Sequence, residues 1–487
     1  MTAEILPFVV LAVAAVIAML LPLGKDLAVP TFMHAWFALT PNIGINLPLS
    51  KLLFGLLILK YLVHGRFDPV RSSPFLIYIL LLASGLVAAF ISLSMTGSGV
   101  EFVGGAFRNG WLRVLIAVIS LTLGFAPIFL LLAKGIEIPA RFLIRWMCIS
   151  LLTLCLIGIA QFAVFVATGI DILPLGLFMG AEELRTGLVA VGGYQYMRPA
   201  ALAGEPKSLG IVASVLLLML ITMGSQIFRS KLVRYVASAM GLLTILLTQS
   251  TSAFVSLGLG LVIYFALRTI GRPLRTPEII SLYAIAAVVI LSVFFGRVAE
   301  IDTIGLSVTN MDTPDSFISL MKSRTLDRLE VEDFDVIILK SMLDDPLSIV
   351  VGRGIGLAHL FTNNYVPEVW RYYVQDRVIF PKTGLTFFLA NGGAASVLLF
   401  ILLMATLTPA RDRSELLDKY LWRHLTLVQH TVIPLMFLAM IRIYVFELSL
   451  LIGAILTLSL RQTISIRGQI HFSWANRSRP ESAPTSI

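Results

Sequence analysis

"PFLIYILLLASGLVAAFISLSMT", Pro74–Thr96, carries no charged side chain from end to end. A helix of that length crosses the roughly 30 Å of hydrocarbon in a bilayer. In lipid its backbone groups must be satisfied internally, which leaves helices and closed barrels as spanning structures. Runs of the same kind recur, and spans are expected at 5–23, 46–63, 74–96, 114–133, 146–168, 208–224, 235–249, 251–267, 279–296, 384–407, 425–441 and 444–460. These helix-length runs lack the period-2 alternation of an outer-membrane barrel. The fold class is therefore an all-α integral membrane protein, a polytopic bundle of about twelve transmembrane helices. The run at 46–63 is the least regular, because it contains Lys51 and Lys60, and the moderately apolar stretch 26–45 is a loop, a re-entrant piece or an interfacial segment.

Composition agrees. With 57% hydrophobic and 13% charged residues and a mean hydropathy of +0.91, a water-soluble globular protein is excluded. The net charge of +9 reflects cytoplasmic loops rich in Lys and Arg rather than nucleic acid as a partner. Cys148 and Cys155 fall in one apolar run and are expected as small buried hydrophobes, not a disulfide or metal pair. The run Ile5–Leu23 has no basic segment before it and no small-residue cleavage pattern, so it is expected as a retained helix.

Charge then orients the bundle. With both termini cytoplasmic, the short inner connections carry Lys60, Arg66 and Arg71; Lys134, Arg141 and Arg145; Arg229, Lys231 and Arg234; Arg268, Arg272 and Arg275; and Arg411, Arg413, Lys419 and Arg423. The short outer ones are sparse in basic residues by comparison, with Lys25 in one and Arg108, or Arg108 and Arg113, in another. The expected organisation is a membrane domain over 1–460 and a polar, basic cytoplasmic tail over 461–487. Two long outer loops, about 169–207 and 297–383, are where chemistry is expected.

The first outer loop ends in "YMRPAALAGEPKSLG", Tyr196–Gly210. Arg198 and Lys207 flank Glu205-Pro206, and Ser208 or the turn before it caps the following helix, so its N-terminus with two cations makes an anion site. The alternative is that Arg198 pairs with Glu205 while Lys207 reaches the headgroups. In the second loop, Leu326, Leu329, Val336, Leu339 and Leu343 recur at helical spacing, so an amphipathic helix is expected up to Asp344-Asp345-Pro346. The glycine-rich "VGRGIG", Val351–Gly356, then presents Arg353. Trp370 and Tyr372 follow, either stacking on sugars or anchoring at the interface. Asp333 and Asp335 project about 200° apart on a helix, so a solvated face is expected there rather than a metal site. No P-loop and no G-x-S-x-G elbow occurs.

These motifs resemble the O-antigen polymerase and O-antigen ligase superfamily of bacterial surface polysaccharide. The likeness lies in "MRPAALAGEPKSLG", in "LLTQSTSAFVSLGLGLVIYFALR" (Leu246–Arg268), and in the order Arg324/Arg328, "DDPLSIVVGRGIG", "GLTFFLANGGAASVLLF", over roughly residues 185–460. Two departures stand out: Thr251 and Ser252 replace an arginine common in the family, and "FPKTG" offers Lys382 where ligases have a histidine. The resemblance implies a glycosyltransferase-C-like fold in a bacterial inner membrane. It implies a metal-independent enzyme without cofactor, acting on lipid-linked oligosaccharide donor and acceptor, with a chain-length regulator or export proteins as partners. The missing histidine favours the polymerase branch over the ligase. Arg198 and Arg353 are then the clamps on the leaving pyrophosphate, supported by Lys207, Arg324, Arg328 and Lys382. Glu205 either accepts the acceptor's proton or orients Arg198. The rival from another class is a lipid-linked oligosaccharide flippase. It is disfavoured at this level because the helix interiors, Arg442 apart, are expected to be nearly free of charge.

Overall fold

The structure, a computed structural model, describes residues 2–40, 47–66, 72–96, 110–131, 138–173, 188–191, 194–296, 333–362, 365, 381–411, 419–443 and 446–477. The helices in chain order are α1 (Thr2–Leu20), α2 (Ala28–Phe32), α3 (Leu49–Val63), α4 (Ser73–Thr96), α5 (Gly110–Leu131) and α6 (Ala140–Thr168). A hairpin follows, β1 (Leu188–Val191) and β2 (Tyr194–Met197), antiparallel with Leu188 opposite Met197. Then come α7 (Pro206–Ile227), α8 (Lys231–Thr248), α9 (Thr251–Ile270), α10 (Thr276–Gly296), α11 (Asp333–Leu343), α12 (Pro346–Val351), α13 (Gly384–Leu407), α14 (Lys419–Ile441) and α15 (Phe446–Arg477).

A helix lies over each expected span. Among the described residues nine of them, α4 to α10, α13 and α14, are long and apolar enough to cross a membrane. The protein is thus a multi-pass helical membrane protein. The runs at 5–23, 46–63 and 444–460 fall on α1, α3 and α15, outside that set; α3 has 15 residues. Helix α7 is the axis of its half of the bundle, buried along most of its length and packed against α6, α8, α9 and α14.

Polar contacts show which helix ends share a face. Gln226 Nε2, near the end of α7, lies 3.4 Å from His424 Nδ1 near the start of α14. The Leu274 N–H, just before α10, donates to Gln429 Oε1 of α14 at 2.7 Å. Gln462 Nε2 of α15 donates to the Ile138 carbonyl, just before α6, at 2.6 Å. This face collects Arg229, Lys231, Arg234, Arg272, Arg275 and Arg411. The opposite face holds the starts of α7, α9 and α13 and the end of α14, where the Ile443 N–H donates to the Lys382 carbonyl at 2.8 Å.

The N-terminal region departs from the expected alternation. Lys60 Nζ, in the last turn of α3, donates to Asp26 Oδ2 at 2.9 Å, to the Leu21 carbonyl at 2.7 Å and to the Ala18 carbonyl at 3.0 Å. All three lie at or just past the end of α1. At the other end of α3, Leu49 and Leu53 cluster with Ala14. Helices α1 and α3 therefore run in the same direction. Residues 26–39 travel back along α3, from Asp26 beside Lys60 to Leu39, whose carbonyl accepts the Leu49 N–H at 3.2 Å. Apart from α2 this return is not helical, and neighbours satisfy its backbone. Ser150 Oγ donates to the Phe32 carbonyl and accepts from Trp36 Nε1, and the Ala38 N–H donates to the Leu202 carbonyl at 2.9 Å. Stretch 26–45, weighed as a re-entrant piece, thus includes a return crossing that no helix-length apolar run announces. Lys25 and Lys60, expected on opposite faces, lie at one end, because Asp26 is bonded to Lys60. Lys51, at the start of α3, pairs with Glu447 at the start of α15 at 2.6 Å. The end of α3 therefore points to the basic face and the N-terminus of α1 to the other, which corrects the placement of both termini on one side.

A buried ion pair, Lys60–Asp26, and a half-buried one, Lys51–Glu447, add charge to an interior expected to be nearly free of it. Asp26 is fully buried and satisfied by Lys60, by the Tyr61 hydroxyl at 3.0 Å and by the Gly24 N–H at 3.0 Å. The Lys51–Glu447 pair adds Ser120 Oγ at 3.3 Å from Lys51 Nζ. The neighbouring His34 is buried against this pair. Removing one member of a buried pair strands the other charge, which typically costs about 3–5 kcal/mol.

The parallel packing of α1 and α3 has a direct readout. Cysteines introduced as Thr2→Cys and Ser230→Cys are expected on opposite sides of sealed vesicles of uniform orientation. A membrane-impermeant maleimide added outside should label one and spare the other. Labelling of both from the same side would overturn this arrangement.

Candidate functional site

The first candidate cluster sits where α7 and α9 begin. Strand β2 leads into Arg198-Pro199 and a single 3₁₀ turn, Ala201–Ala203. Gln161 of α6 pins that turn, its Oε1 accepting the N–H groups of Ala200 at 3.1 Å and Ala201 at 2.9 Å. Extended backbone at Glu205 makes it the N-cap of α7, with Pro206 in the first helical position, where a missing N–H costs nothing. The Glu205 side chain makes no cap hydrogen bond, and the preceding turn rather than Ser208 starts the helix. Ser208 is buried one turn in.

Helix α8 ends at the same place. Gln249 adopts a left-handed conformation (φ 48°), and Arg198 Nε donates to the carbonyl of Thr248 at 2.8 Å. Arg198 thus closes the C-terminus of α8, where a cation also complements the helix dipole. Ser250 then caps α9, its hydroxyl accepting the Ala253 N–H at 3.3 Å. Helices α7 and α9 start side by side because position 210 is glycine: a Cβ there would lie 2.7 Å from that of Ala253. Ser214 Oγ ties the two together by donating to the Ala253 carbonyl at 2.9 Å. The result is two neighbouring helix N-termini with Arg198 and Lys207 at their mouth, an arrangement suited to an anion. The Gln249 Oε1, buried here without a hydrogen-bond partner, was not flagged by the sequence.

The second cluster is built on a break in α13. Gly392 (φ −145°, ψ 25°) and Gly393 (φ 66°, ψ −160°) leave the helical path, which frees the Ala390 carbonyl. The Arg353 N–H takes it at 2.7 Å, and the Ile355 N–H donates to the Gly85 carbonyl of α4 at 3.1 Å. The break lies eight residues into α13, roughly 12 Å along its axis, so "VGRGIG" dips between helices instead of lying over them. Its glycines are there for close approach at positive φ. A Cβ on Gly352 would strike Gly392 and Gly393, and one on Gly354 would strike the Ala89 backbone.

Arg353 is nearly buried. One guanidinium nitrogen meets Asp345 Oδ2 at 2.7 Å, another donates to the Ser341 carbonyl at 2.6 Å, and the group lies 4.5 Å over the Phe361 ring. It joins the end of α11 to the glycine loop. Any bound anion competes with Asp345, whose side chain is 48% exposed.

Helix α11 corrects two expectations. It carries Val336, Leu339 and Leu343 as expected, but Ile337, Ile338 and Met342 are buried as well, while Leu343 is exposed. The helix is enclosed on most sides and does not lie amphipathically on a surface. Asp335, expected on a solvated face, is fully buried. Its Oδ1 accepts the N–H of Lys382 at 3.0 Å and of Thr383 at 3.4 Å, the residues that open α13. Burial pushes this carboxyl up to about 7, against the pull of those two amides, the Thr386 hydroxyl and the Lys382 charge. Lys382 itself lies 5.5 Å from the centre of the Phe334 ring.

Of the expected site residues, Arg198, Glu205 and Lys207 come together at the first cluster, and Arg353 and Lys382 flank α11 at the second. No described contact joins Arg198 to Arg353. Arg324, Arg328, Trp370 and Tyr372 lie outside the described residues. Comparison with family models, with curated proteins and with solved structures finds no match for this chain.

The burial of Asp335 makes a signed prediction. The folded protein keeps the carboxyl protonated up to about pH 7, whereas an unfolded chain ionises it near pH 4. Between those values the folded state binds more protons, so this group lowers stability as pH rises and levels off above 7. Asp335→Asn keeps an acceptor for the two amides and removes the charge. Its melting temperature in detergent should exceed that of the wild type, by more at pH 8 than at pH 5. A variant less stable than wild type at pH 8 would show that the ionised form is the one the fold favours.

Proposed function

We propose that the protein polymerises polyprenyl-diphosphate-linked oligosaccharide repeat units on the extracytoplasmic face of a bacterial inner membrane, by metal-independent glycosyl transfer. The reading places the C-terminal tail in the cytoplasm and the N-terminus outside. It takes the fold as a glycosyltransferase-C-like bundle of twelve helical spans plus the broken crossing at 26–40.

One observation carries most of the weight. Of the described members of the expected site, Arg198, Glu205, Lys207 and Lys382 belong to the ends of helices that meet at the face opposite the basic one, and Arg353 to the glycine loop inserted between α4 and α13. Transfer from a diphosphate-linked sugar requires stabilisation of the departing pyrophosphate. Preorganised cations and helix N-termini supply this in a site of low dielectric. Arginine suits the task through its planar fork and fixed charge. Arg198, already oriented by the Thr248 carbonyl, is the leading clamp. Glu205, with its backbone fixed as the cap of α7, either takes the acceptor hydroxyl's proton or positions the cations.

A second reading has one observation in its favour. The Lys51–Glu447 pair beside His34 places ionisable groups inside the bundle, as transport pathways do. Transport of the same lipid-linked saccharide is therefore the competing function.

Purified protein incubated with lipid-linked repeat units alone should produce a ladder of longer lipid-linked chains. Arg198→Ala should reach the membrane and lower ladder formation by at least 100-fold, in the range typical for loss of one preorganised transition-state contact. Absence of a ladder, with labelled lipid-linked saccharide crossing the bilayer of proteoliposomes, would replace the polymerase reading with the transport one. Transfer only to an added second acceptor would indicate a ligase.

A further inference from the structure

Helices α9 and α10 follow each other in the chain, joined by residues 271–275, yet they do not pack together along their lengths. Helix α9 lies on α7 and α14, and α10 lies mainly on α11 and α13. Between them runs a cleft of about 520 Å³, within the range of pockets that hold one small ligand. Val262, Ala266 and Ile270 of α9 form one wall, Leu282 of α10 the other, and Phe437 of α14 the floor. From Val262 to Ile270 the cleft extends roughly 12 Å along the helix axis, most of the ~15 Å of hydrocarbon in one leaflet. Val262 and Ile270 are exposed, so the cleft opens sideways to lipid. Its polar end lies on the basic face. There Arg272 and Glu278 line it, paired through two guanidinium nitrogens at 2.9 Å and 2.8 Å. The Arg275 N–H donates to the same carboxylate at 2.8 Å and the Arg275 charge acts on it through space, so two guanidiniums share one carboxylate. The Arg411 N–H donates to the Leu274 carbonyl at 3.1 Å, which brings a third arginine to this end, its guanidinium 4.5 Å over the Trp422 ring. Tryptophan beside arginines is the composition of the headgroup level of a bilayer.

We propose that this cleft binds an anionic phospholipid of the leaflet on the basic face, with one acyl chain between α9 and α10 on Phe437 and the phosphate against Arg272 and Arg275. Three features select this occupant. The walls are apolar and open to the bilayer, so a hydrocarbon chain enters from the side without crossing water. The cleft starts at the headgroup level and ends near the depth at which an acyl chain ends. The arginines at its mouth outnumber the one carboxylate, Glu278, which favours an anionic headgroup over one that also carries an amine. Once seated, the lipid supplies the packing that α9 and α10 do not give each other. It thereby joins the helix that opens the first cluster, α9, to the helix that packs against α11 and α13 of the second. The inference stands apart from the polymerase reading, since it rests on the opposite face of the bundle and needs no transfer reaction.

Native mass spectrometry of the detergent-solubilised protein counts bound lipids one at a time, here in titrations with dioleoyl phosphatidylglycerol or dioleoyl phosphatidylcholine. The first phosphatidylglycerol should bind about fivefold more tightly than the first phosphatidylcholine, the effect of one arginine near a membrane surface. Arg275→Gln should lower phosphatidylglycerol affinity by about the same factor and leave phosphatidylcholine unchanged. Glu278→Gln keeps an acceptor for the Arg275 N–H and removes the competing charge, so it should raise phosphatidylglycerol affinity. Ala266→Trp fills the cleft from its exposed wall and should abolish the preference. Equal binding of the two lipids by the wild type would overturn the site. A preference that survives Ala266→Trp belongs to surface charge alone and overturns the cleft. One that neither Arg275→Gln nor Glu278→Gln changes overturns the part given to the arginines. Should Ala266→Trp fail to fold, Val262→Trp, at a more exposed point of the same wall, carries the same expectation and the same overturning result.

Discussion

The hydrogen bond from the Arg353 N–H to the Ala390 carbonyl is the contact on which the architecture of the functional face rests. An apolar bundle cannot leave a carbonyl without a partner, and the turn at Gly392–Gly393 does so in α13. The repair comes from a segment far away in sequence. Three alternate glycines let "VGRGIG" pass close to α4 and α13, and the residues between them, Arg353 and Ile355, take up the work of bonding and packing. Because the loop is inserted, Arg353 becomes buried and α11 is drawn down beside the start of α13. Asp335 then lies where it can cap the helix that the loop repairs. The broken helix, the glycine loop and the buried carboxylate are parts of one solution to a backbone problem.

How much of this was legible in the sequence depends on the distance over which each signal acts. Long apolar runs such as Pro74–Thr96 are local and strong, so a helix appears over each expected span. The return at 26–40 was only weighed as a re-entrant piece, because its partners, Ser150 and Leu202, lie more than a hundred residues away and no composition rule links them. Asp335 was placed on a solvated face by its polar type and its spacing from Asp333. Burial depends on what covers a helix, and here α13 does so through the Lys382 and Thr383 amides. Lys51 was visible as an irregularity in its run, but its partner Glu447 lies at the other end of the chain. The motif around Glu205-Pro206 was legible as a helix entry because caps and first-turn prolines are local chemistry. That α9 starts beside it could be known only once Gly210 was seen to admit Ala253.

The two clusters differ in kind. At the α7–α9 mouth two basic side chains, Arg198 and Lys207, stand where two helix N-termini meet. At the α13 mouth a buried carboxyl, Asp335, accepts the two amides that open the helix. Fixed charge suits stabilisation of a leaving group, whose charge develops whatever the surroundings. The bundle supports both because each cluster is anchored by main-chain groups, so neither depends on long side chains finding each other in water.

The parallel course of α1 and α3 has a consequence for how the chain enters the membrane. Helix α1 can insert as it emerges from the ribosome, but the return at 26–40 has no helix to satisfy its backbone in lipid. Its carbonyl and amide partners reside on α6 and the turn before α7, which are made only after a hundred or more further residues. Until then this segment is better solvated at the interface than in the hydrocarbon. Assembly of the N-terminal region is thus a late event, a docking of segments already translated onto a scaffold completed downstream. The buried Lys60–Asp26 pair needs nothing made later, since both partners lie on the first two long helices and their connection.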